Sequence, residues 1–303
     1  MRVLVTGATG FVGRWLIREL EAAGHEAIGT PPSSQIDLTD PDATSRLVIE
    51  IRPDAIAHLA GVSHAPDALA GPDRAFRINV GGTQAVVEAI RASGRPIRLL
   101  VAGSAAVYGR PNPVDLPLTE TAPLRTDQPY GLSKLAQEAI SVEAATRFEI
   151  PVVVTRAFNH TGPGQRQDFA APALARRVLH ARETGAHEIP VGNLDVRRDL
   201  GDVRDVVRAY RLLLEGLAEP TPTLVTVVNV ATERAVSIRV VLETLCRLAG
   251  VEAEPAVDPK FLRTGDPPEI VGDASALRAL TGWTPQIELE LTLADLLASI
   301  EAA

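Results

Sequence analysis

The sequence predicts an α/β fold in which a doubly wound parallel sheet is joined to a smaller substrate domain that is discontinuous along the chain. Short apolar runs rich in β-branched residues alternate with helical segments through the first 160 residues, a pattern typical of a parallel sheet with helices on both faces. From residue 159 the chain becomes polar and turn-prone, in NHTGPGQRQD. This change separates a first domain over 1–160 from a second over 161–303.

The first thirty residues contain a complete strand–helix–strand unit. MRVLVTG is suited to a strand buried on both faces. Apolar residues then recur at helical spacing from Phe11 until Gly24 ends the helix, and HEAIGT resumes a strand. The alternation continues with the strand DAIAHLAG, a helix over about 80–93, the strand IRLLVAGS, a helix over about 131–147 and the strand PVVVTRAF.

The second domain is predicted to be interrupted. Helices are expected over AAPALARRVLHARET and over 199–216, and the apolar run LVTVVNVAT indicates one more buried strand. We therefore expect the stretch 199–230 to return to the first domain.

Composition and charge exclude several classes of function. The chain has 303 residues, and its 30 basic and 38 acidic residues give a formal charge of −8, which argues against a nucleic-acid surface. The one cysteine, Cys246, excludes a disulfide framework and a Cys-rich zinc site. No apolar stretch reaches the roughly 18 residues of a membrane span, so a cytoplasmic protein is expected. The histidines show no ligand pairing with carboxylates, so no metal is expected.

Three glycines, Gly7, Gly10 and Gly13, form a G-x-x-G-x-x-G motif between the first strand and the first helix. Glycine at this spacing lets the backbone turn sharply and approach a pyrophosphate, which then sits at the N-terminus of the following helix. The motif therefore predicts a Rossmann-type dinucleotide site.

The end of the second strand bears on which dinucleotide binds. A carboxylate that grips the adenosine ribose is expected about 20 residues after the glycine motif, but the window 29–34 reads GTPPSS. The missing negative charge favours NADP(H) and leaves NAD(H) as the alternative. Asp37 is placed to meet the adenine amino group, with a helix or turn cap as its alternative role.

A tyrosine and a lysine, Tyr130 and Lys134, share one face at the start of the predicted helix PYGLSKLAQEA. The chain has two lysines in all, which argues against a chance pairing. An ammonium close to a phenol is expected to lower the tyrosine pKa, so that the phenol can give or take a proton near neutral pH. Ser104 follows the strand IRLLVAGS at the carboxyl end of the sheet and is expected to hold the substrate oxygen.

These motifs resemble those of the extended short-chain dehydrogenases/reductases that act on nucleotide sugars, the NAD-dependent epimerase/dehydratase family. The resemblance rests on the glycine motif, HLAG, RINVGGT, GSAAVYG and PYGLSK, and it covers essentially the whole chain. It implies that Ser104, Tyr130 and Lys134 are catalytic, that Lys134 also binds the nicotinamide ribose, and that Asn79 supports the lysine through water. The implied cofactor-binding residues are Gly7, Thr9, Gly10, Phe11, Val12, Gly13, Thr30, Asp37, Leu38, Leu59, Ala60, Gly61, Asn79, Tyr130 and Lys134.

The C-terminal half is most similar to the GDP-6-deoxy-4-keto-mannose reductases and the GDP-mannose 4,6-dehydratases, through AFNHTGPGQ, GNLDVRRDLGDVRDVVRAY, LRTGDPPEIVGD and LRALTGWTPQIELELTLADLL. The resemblance implies that Asn159, Arg198 and Arg263 face the sugar nucleotide and that Asp266 faces its ribose, with Ser104 also on the substrate. An amide and two guanidinium groups suit a diphosphate, and a carboxylate suits a diol.

The residues after Ser104 bear on the reaction. A 4,6-dehydratase needs a further acid–base group, which the family's dehydratases place between the catalytic Ser or Thr and the following Tyr-Gly; here Ala105 and Ala106 stand there. The two alanines therefore disfavour a dehydratase. The similarity of GNLDVRRD and RTGD to the reductases, together with the missing ribose carboxylate, favours reduction of the C4 keto group of a GDP-4-keto-6-deoxy-hexose, with Tyr130 as proton donor. The main alternative is a nucleotide-sugar 4-epimerase with tightly bound NAD, followed by a dehydratase and a non-catalytic dinucleotide sensor.

The expected partners are a nucleotide-sugar substrate, with a GDP-sugar favoured, and a second copy of the chain. The helices around 82–93 and 131–147 resemble the pair that forms a four-helix dimer interface in this family, so a homodimer is expected. No nucleic-acid or membrane partner is expected.

Overall fold

The computed structural model describes residues 1–216, 225–262 and 265–302, so the predicted substrate contact at Arg263 lies outside the described residues. The strands are β1 (Arg2–Thr6), β2 (Glu26–Gly29), β3 (Ala55–His58), β4 (Arg98–Ala102), β5 (Val152–Ala157), β6 (Asn159–Thr161), β7 (Glu188–Val191), β8 (Arg197–Asp202), β9 (Val225–Val230), β10 (Ala235–Ser237), β11 (Glu254–Val257) and β12 (Glu269–Ile270).

The α-helices are α1 (Phe11–Ala22), α2 (Pro41–Ile51), α3 (Ala65–Ala70), α4 (Pro72–Phe76), α5 (Gly82–Ser93), α6 (Pro129–Phe148), α7 (Ala170–Thr184), α8 (Val203–Gly216), α9 (Ile238–Ala249), α10 (Ser275–Thr281) and α11 (Leu289–Glu301). Among the described residues, no helix combines the length and the apolar character that crossing a bilayer requires.

Six strands form a parallel sheet in the order β2-β1-β3-β4-β5-β9. The chain runs outward from β1 to β2 and then crosses back to continue through β3, so the strand order reverses between β1 and β3. Open α/β sheets bind ligands at the carboxyl ends of the strands beside such a reversal. The predicted doubly wound parallel sheet is confirmed.

Alternate residues of the central strands contribute to two separate apolar cores. Val3 and Val5 of β1 pack with buried residues of α1 and α8, whereas Leu4 packs with buried residues of α2, α5 and α6. Because successive side chains of a strand point to opposite faces, helices cover the sheet on both sides.

A third core lies in the C-terminal half. Buried side chains of α7, α9 and α11 pack around Ile189 and Val191 of β7, which pairs in parallel with β11. A small sheet of β10, β8 and β12, with β6 beside β8, completes this part of the molecule. The chain passes from the main sheet into the small one between β5 and β6.

The predicted helix over 199–216 is wrong at its start, where β8 precedes α8. The Asp199 carboxylate accepts hydrogen bonds from the N–H groups of Thr232, Glu233 and Gly272, which lie 33, 34 and 73 residues further along the chain. These long-range bonds and the pairing with neighbouring strands hold this segment extended. α8 then packs against α1, and β9 joins the main sheet next to β5.

Candidate active site

The turn between β1 and α1 is too tight for a side chain at its glycines. Gly7 has a φ of 68°, and a Cβ at Gly13 would lie 2.2 Å from the Gly7 carbonyl oxygen. A Cβ at Gly7 would lie 2.9 Å from the backbone nitrogen of Ala60, in the segment after β3. Gly10, at the N-cap of α1, brings no side chain to the helix start, so the first N–H groups of α1 can meet an anion. The turn fits a cofactor diphosphate.

The other predicted cofactor contacts of this turn lie at its tip and in the first turn of α1: Thr9, Phe11 and Val12. The Phe11 ring stacks on His160, with 6.2 Å between ring centroids. Trp15 donates from Nε1 to the Pro163 carbonyl oxygen at 3.1 Å. These contacts join the glycine turn to β6 and the polar segment that follows it.

The segment after β3 is tied to β1 through Thr6. Its Oγ1 accepts hydrogen bonds from the N–H groups of Leu59 and Ala60 at 3.1 Å each and lies 2.8 Å from His58 Nδ1. Because this oxygen already accepts two N–H groups, the hydroxyl donates to Nδ1, and the ring proton of His58 is on Nε2. Burial, and secondly the charge of Lys134, lower the pKa of His58 to about 3. His58 is therefore neutral.

The predicted adenosine contacts lie beyond the end of β2. Thr30 is buried and Leu38 is half-buried. Asp37 is exposed, and its carboxylate accepts from the N–H and hydroxyl of Thr39 at 2.9 and 2.7 Å, which lowers its pKa. Asp40, not Asp37, is the N-cap of α2. Asp37 is thus a turn residue, and its contact with adenine stays a prediction.

β4 and the start of α6 bring Ser104 and Tyr130 together. Ser104 lies two residues beyond β4, and its Oγ accepts from the N–H of Ala106 at 3.2 Å, at the start of a 3₁₀ helix. Tyr130 is the second residue of α6, and the Ser104 side chain lies close enough to its phenol to lower the pKa of that phenol. The serine and the tyrosine selected from the sequence are thus brought to the same part of the site.

Lys134 lies one helical turn after Tyr130 and is 6% exposed. Its Nζ donates to the Ala102 carbonyl oxygen at 2.9 Å and to Gln137 Oε1 at 2.8 Å. A Cβ at Gly61 would lie 3.6 Å from this Nζ. Burial lowers the pKa of Lys134 to about 8. An ammonium has three N–H donors, so one is left over from these two bonds.

The predicted lowering of the Tyr130 pKa by Lys134 is wrong in this structure. Burial raises the pKa of Tyr130, and the nearby Ser104 side chain opposes that rise. The ammonium is directed at the oxygens of Ala102 and Gln137, where it does not offset the effect of burial. A phenol with a raised pKa is protonated at neutral pH, which is the state that a proton donor needs.

Asn79 lies in a turn of π-helix directly before α5. Its Oδ1 accepts from the Val62 N–H at 2.8 Å, and its Nδ2 donates to the Val62 carbonyl oxygen at 3.2 Å and to Ser133 Oγ at 2.9 Å. Asn79 therefore ties the segment after β3 to the residue before Lys134. Its predicted water-mediated contact with the lysine stays a prediction.

The predicted substrate contacts lie in and beside the small sheet. Asn159 is the first residue of β6 and is exposed. Arg198, in β8, donates to the Asp266 carboxylate at 2.5 Å and to the Pro267 carbonyl oxygen at 2.9 Å. Arg198 and Asp266, which the sequence assigned to different parts of the substrate, thus form an ion pair.

A charged cluster outside the predicted site residues joins the start of α3 to the segment after β6. Arg166 pairs with Asp67 at 3.0 Å and with Asp168, and His64 Nδ1 lies 3.0 Å from Asp67. Within the described ranges, His64, Asp67 and Asp168 are the group whose ligand atoms come close enough for a metal ion. Because Arg166 already pairs with both carboxylates, the cluster is an ion-pair network.

Two partners of predicted site residues are not among the predicted residues: Gln137, which contacts Lys134, and Thr6, which contacts Leu59 and Ala60. Gln137 follows Lys134 by three residues, a spacing that places two side chains on one helical face, so a local signal existed. Thr6 and His58 are 52 residues apart on adjacent strands, and nothing in the local sequence indicates their contact.

The fold and the site together define a dinucleotide-dependent oxidoreductase of the extended short-chain type: a glycine turn at the reversal of a doubly wound sheet, with Ser104, Tyr130 and Lys134 at the carboxyl ends of its strands. The chain belongs to the NAD-dependent epimerase/dehydratase family, whose model matches residues 3–231. That match extends from β1 through β9.

Similarity to individual members extends over the full chain. GDP-6-deoxy-D-mannose reductase from Pseudomonas aeruginosa is 35% identical, over 99% of this chain and 97% of that protein. The solved structure of RMD from Pseudomonas aeruginosa complexed with NADPH has a TM-score of 0.90 at 33% identity, over 100% of this chain and 99% of the other. The UDP-glucose 4-epimerase of Thermus thermophilus in complex with NAD has a TM-score of 0.85 at 26% identity, over 100% of both chains.

Proposed function

We propose that the protein reduces the C4 keto group of a GDP-4-keto-6-deoxy-hexose with NAD(P)H. The observation that carries the proposal is the placement of Ser104 near the phenol of Tyr130 at the carboxyl end of the sheet, with Ala105 and Ala106 directly after the serine. The pair suits a carbonyl, whereas two methyl groups cannot move the protons that a dehydration requires. The 35% identity to a GDP-6-deoxy-D-mannose reductase supports the choice of substrate.

In this proposal Tyr130 gives its Oη proton to the C4 carbonyl oxygen of the substrate. Ser104 Oγ accepts from the Ala106 N–H, so the serine hydroxyl can donate a hydrogen bond to the same substrate oxygen. The bound cofactor supplies the hydride. The Lys134 ammonium would bind the nicotinamide ribose through the N–H that Ala102 and Gln137 leave over.

The glycine turn and the first turn of α1 would hold the cofactor diphosphate, and Thr30, Asp37 and Leu38 would lie along the adenosine. We favour NADPH over NADH, because no carboxylate stands in the window 29–34 to repel a ribose 2′-phosphate. The NADPH complex of RMD from Pseudomonas aeruginosa supports this preference.

Asn159, Arg198, Arg263 and Asp266 are proposed to bind the nucleotide part of the substrate. The Arg198–Asp266 pair offers both a cation for a diphosphate and a carboxylate for a ribose diol. Both side chains are held by neighbouring groups, so little conformational freedom is lost on binding.

We also propose that the protein is a homodimer that associates through α5 and α6. Leu132 and Ala139 are exposed and Ala136 and Ile140 are half-buried, so an apolar stripe runs along one face of α6. A second copy of the same helices would cover this stripe, and burial of apolar surface favours association. Light scattering coupled to size exclusion is expected to give twice the chain mass of 32.2 kDa; a monomer at micromolar concentration would contradict the dimer.

The function is tested by incubating the protein with NADPH or NADH and a panel of GDP-, UDP- and dTDP-4-keto-6-deoxy-hexoses. Absorbance follows the reduced nicotinamide, and NMR follows the sugar. We expect one equivalent of NADPH to be consumed for each GDP-sugar reduced. Interconversion of 4-hydroxy sugars without net cofactor consumption would favour the epimerase instead. Binding of NADPH without turnover of any sugar would favour the dinucleotide sensor and overturn the reductase.

A further inference from the structure

The Lys134 ammonium has a neutral side-chain partner, the amide of Gln137. Nζ donates to Gln137 Oε1 at 2.8 Å, and the two residues are 6% and 1% exposed. We propose that Gln137 is a positioning residue, which holds the ammonium of Lys134, one helical turn after Tyr130, in place and keeps it charged. The importance of this contact for turnover rests on the role of Lys134 in the proposed function.

The orientation of the Gln137 amide is set by a chain of hydrogen bonds. Gln137 Nε2 donates to Thr83 Oγ1 at 2.8 Å, and Thr83 Oγ1 donates to the Asn79 carbonyl oxygen at 2.7 Å. A backbone carbonyl can only accept, so the threonine hydroxyl gives it its proton and accepts from the amide NH₂. The amide oxygen, and not its nitrogen, must therefore face Lys134.

This chain fixes the ammonium between two elements. On one side Nζ donates to the Ala102 carbonyl oxygen at the end of β4. On the other side Gln137 connects it to Thr83 in α5 and to the π-helical turn that contains Asn79. A lysine side chain has four rotatable bonds and is otherwise costly to hold in one position.

The partners of Lys134 also decide its charge. Within the described residues, no carboxylate pairs with it. The charge of Lys134 acts on His58 of β3, and Tyr130 lies one helical turn earlier on α6. The other charged groups on α6 and on the elements packed against it are either paired or exposed. The pairs are Glu138 with Arg156, Glu88 with Arg91, and Asp67 with His64 and Arg166. The charged side chains of α4 and of the π-helical turn are exposed. An amide oxygen favours the ammonium without cancelling its charge, as a carboxylate would.

Because the chain contains two lysines, Lys134 and Lys260, the effect of Gln137 on the Lys134 pKa can be tested directly on the full chain without cofactor. Protein labelled with ¹³C at the lysine ε carbon gives two resonances, Lys134 and the 83% exposed Lys260, so one titration reads the Lys134 pKa with Lys260 as internal reference. We expect Gln137→Met to lower the Lys134 pKa by about one unit and Gln137→Glu to raise it by at least about one unit. Thr83→Val removes the hydroxyl that holds the Gln137 amide. This variant is expected to lower the Lys134 pKa by less than Gln137→Met does.

Matched controls are Gln286→Met and Gln286→Glu at an exposed glutamine, which should leave both lysine resonances unchanged. The proposal is overturned if the Lys134 pKa is the same in all Gln137 variants, or if Met and Glu shift it in the same direction. With NADPH and substrate, the alkaline limb of the kcat profile should move with the NMR pKa. If Gln137→Met and Gln137→Glu shift the Lys134 pKa in opposite directions while the dependence of kcat on pH stays unchanged, positioning by Gln137 is supported and the catalytic role of Lys134 is overturned.

Discussion

The guanidinium of Arg198 donates to the carboxylate of Asp266 at 2.5 Å, and the two side chains are 12% and 27% exposed. Arg198 also donates to the carbonyl oxygens of Arg197 and Pro267. The arginine is thus held by main-chain groups as well as by its ion-pair partner, and removal of the aspartate charge should leave its position intact.

Asp266→Asn should weaken substrate binding without affecting the chemical step. The amide keeps the shape of the carboxylate but loses its charge, and the carbonyl oxygens of Arg197 and Pro267 still hold Arg198. We expect KM for the nucleotide sugar to rise about tenfold with kcat within about twofold, as loss of one charge-assisted hydrogen bond implies. Glu290→Gln, which removes an exposed ion pair with Arg247, is the control for initial-rate kinetics. A fall in kcat with unchanged KM would contradict the binding role.

Tyr130→Phe should remove the proton donor and little else. We expect kcat to fall about 10³-fold, the range found when a positioned acid is lost, while the Kd for NADPH measured by fluorescence titration changes less than about threefold. Tyr108→Phe is the matched control, because this buried phenol donates to Asn229 Oδ1 at 2.7 Å. The control should lose about 1 kcal/mol of stability and keep its activity. Comparable activity in Tyr130→Phe and wild type would exclude Tyr130 as the donor.

Gly13→Ala should damage the dinucleotide site. The new Cβ would lie 2.2 Å from the Gly7 carbonyl oxygen, so the turn has to move. Overpacking of this kind costs about 1–3 kcal/mol; if that cost falls on the bound turn, the affinity for NADPH decreases about 5- to 150-fold. Gly216→Ala has open space around the added methyl group and should bind NADPH normally. Isothermal titration calorimetry measures the affinity of both variants for NADPH. Equal affinities would contradict the assignment of the glycine turn to the dinucleotide site.

His58 should make the stability of the folded chain depend on pH. Its pKa is about 3 in the folded chain and about 6.5 in an unfolded one. Between these values the unfolded state binds a proton that the folded state does not, so stability is complete above pH 6.5 and falls as the pH falls. At pH 5.5 the expected loss of stability from this group is about 1 kcal/mol relative to pH 8.

Urea unfolding of wild type and His58→Asn at pH 5.5, 6.5 and 8 checks this expectation. Asparagine retains an acceptor for the Thr6 hydroxyl but does not titrate, so its stability should depend less on pH. His187→Asn, at an exposed histidine, should keep the wild-type slope. An identical slope in wild type and His58→Asn would show that His58 is not the titrating group.

The parts of the site that could be predicted from the sequence are local. The spacing of Gly7 and Gly13 lies within one strand–helix junction, and Tyr130 and Lys134 are one helical turn apart. Predicting that Ser104 belongs to the site required one further inference, namely that the carboxyl ends of parallel strands lie at the same edge of the sheet. The strand at 197–202 could not be predicted, because the bonds that hold Asp199 reach up to 73 residues along the chain.

The sequence by itself determined which side chains are candidates for the site, because their identity and spacing limit the chemistry they can perform. Tertiary structure alone decided their protonation and partners. The pKa of Tyr130 rises because burial, contributed by many elements at once, exceeds the opposing effect of the Ser104 side chain. The Lys134 ammonium contacts an oxygen from β4 and an amide anchored in α5. The burial and the hydrogen-bond partners of these side chains come from residues that are far apart in the sequence, so the local spacing of residues does not predict them.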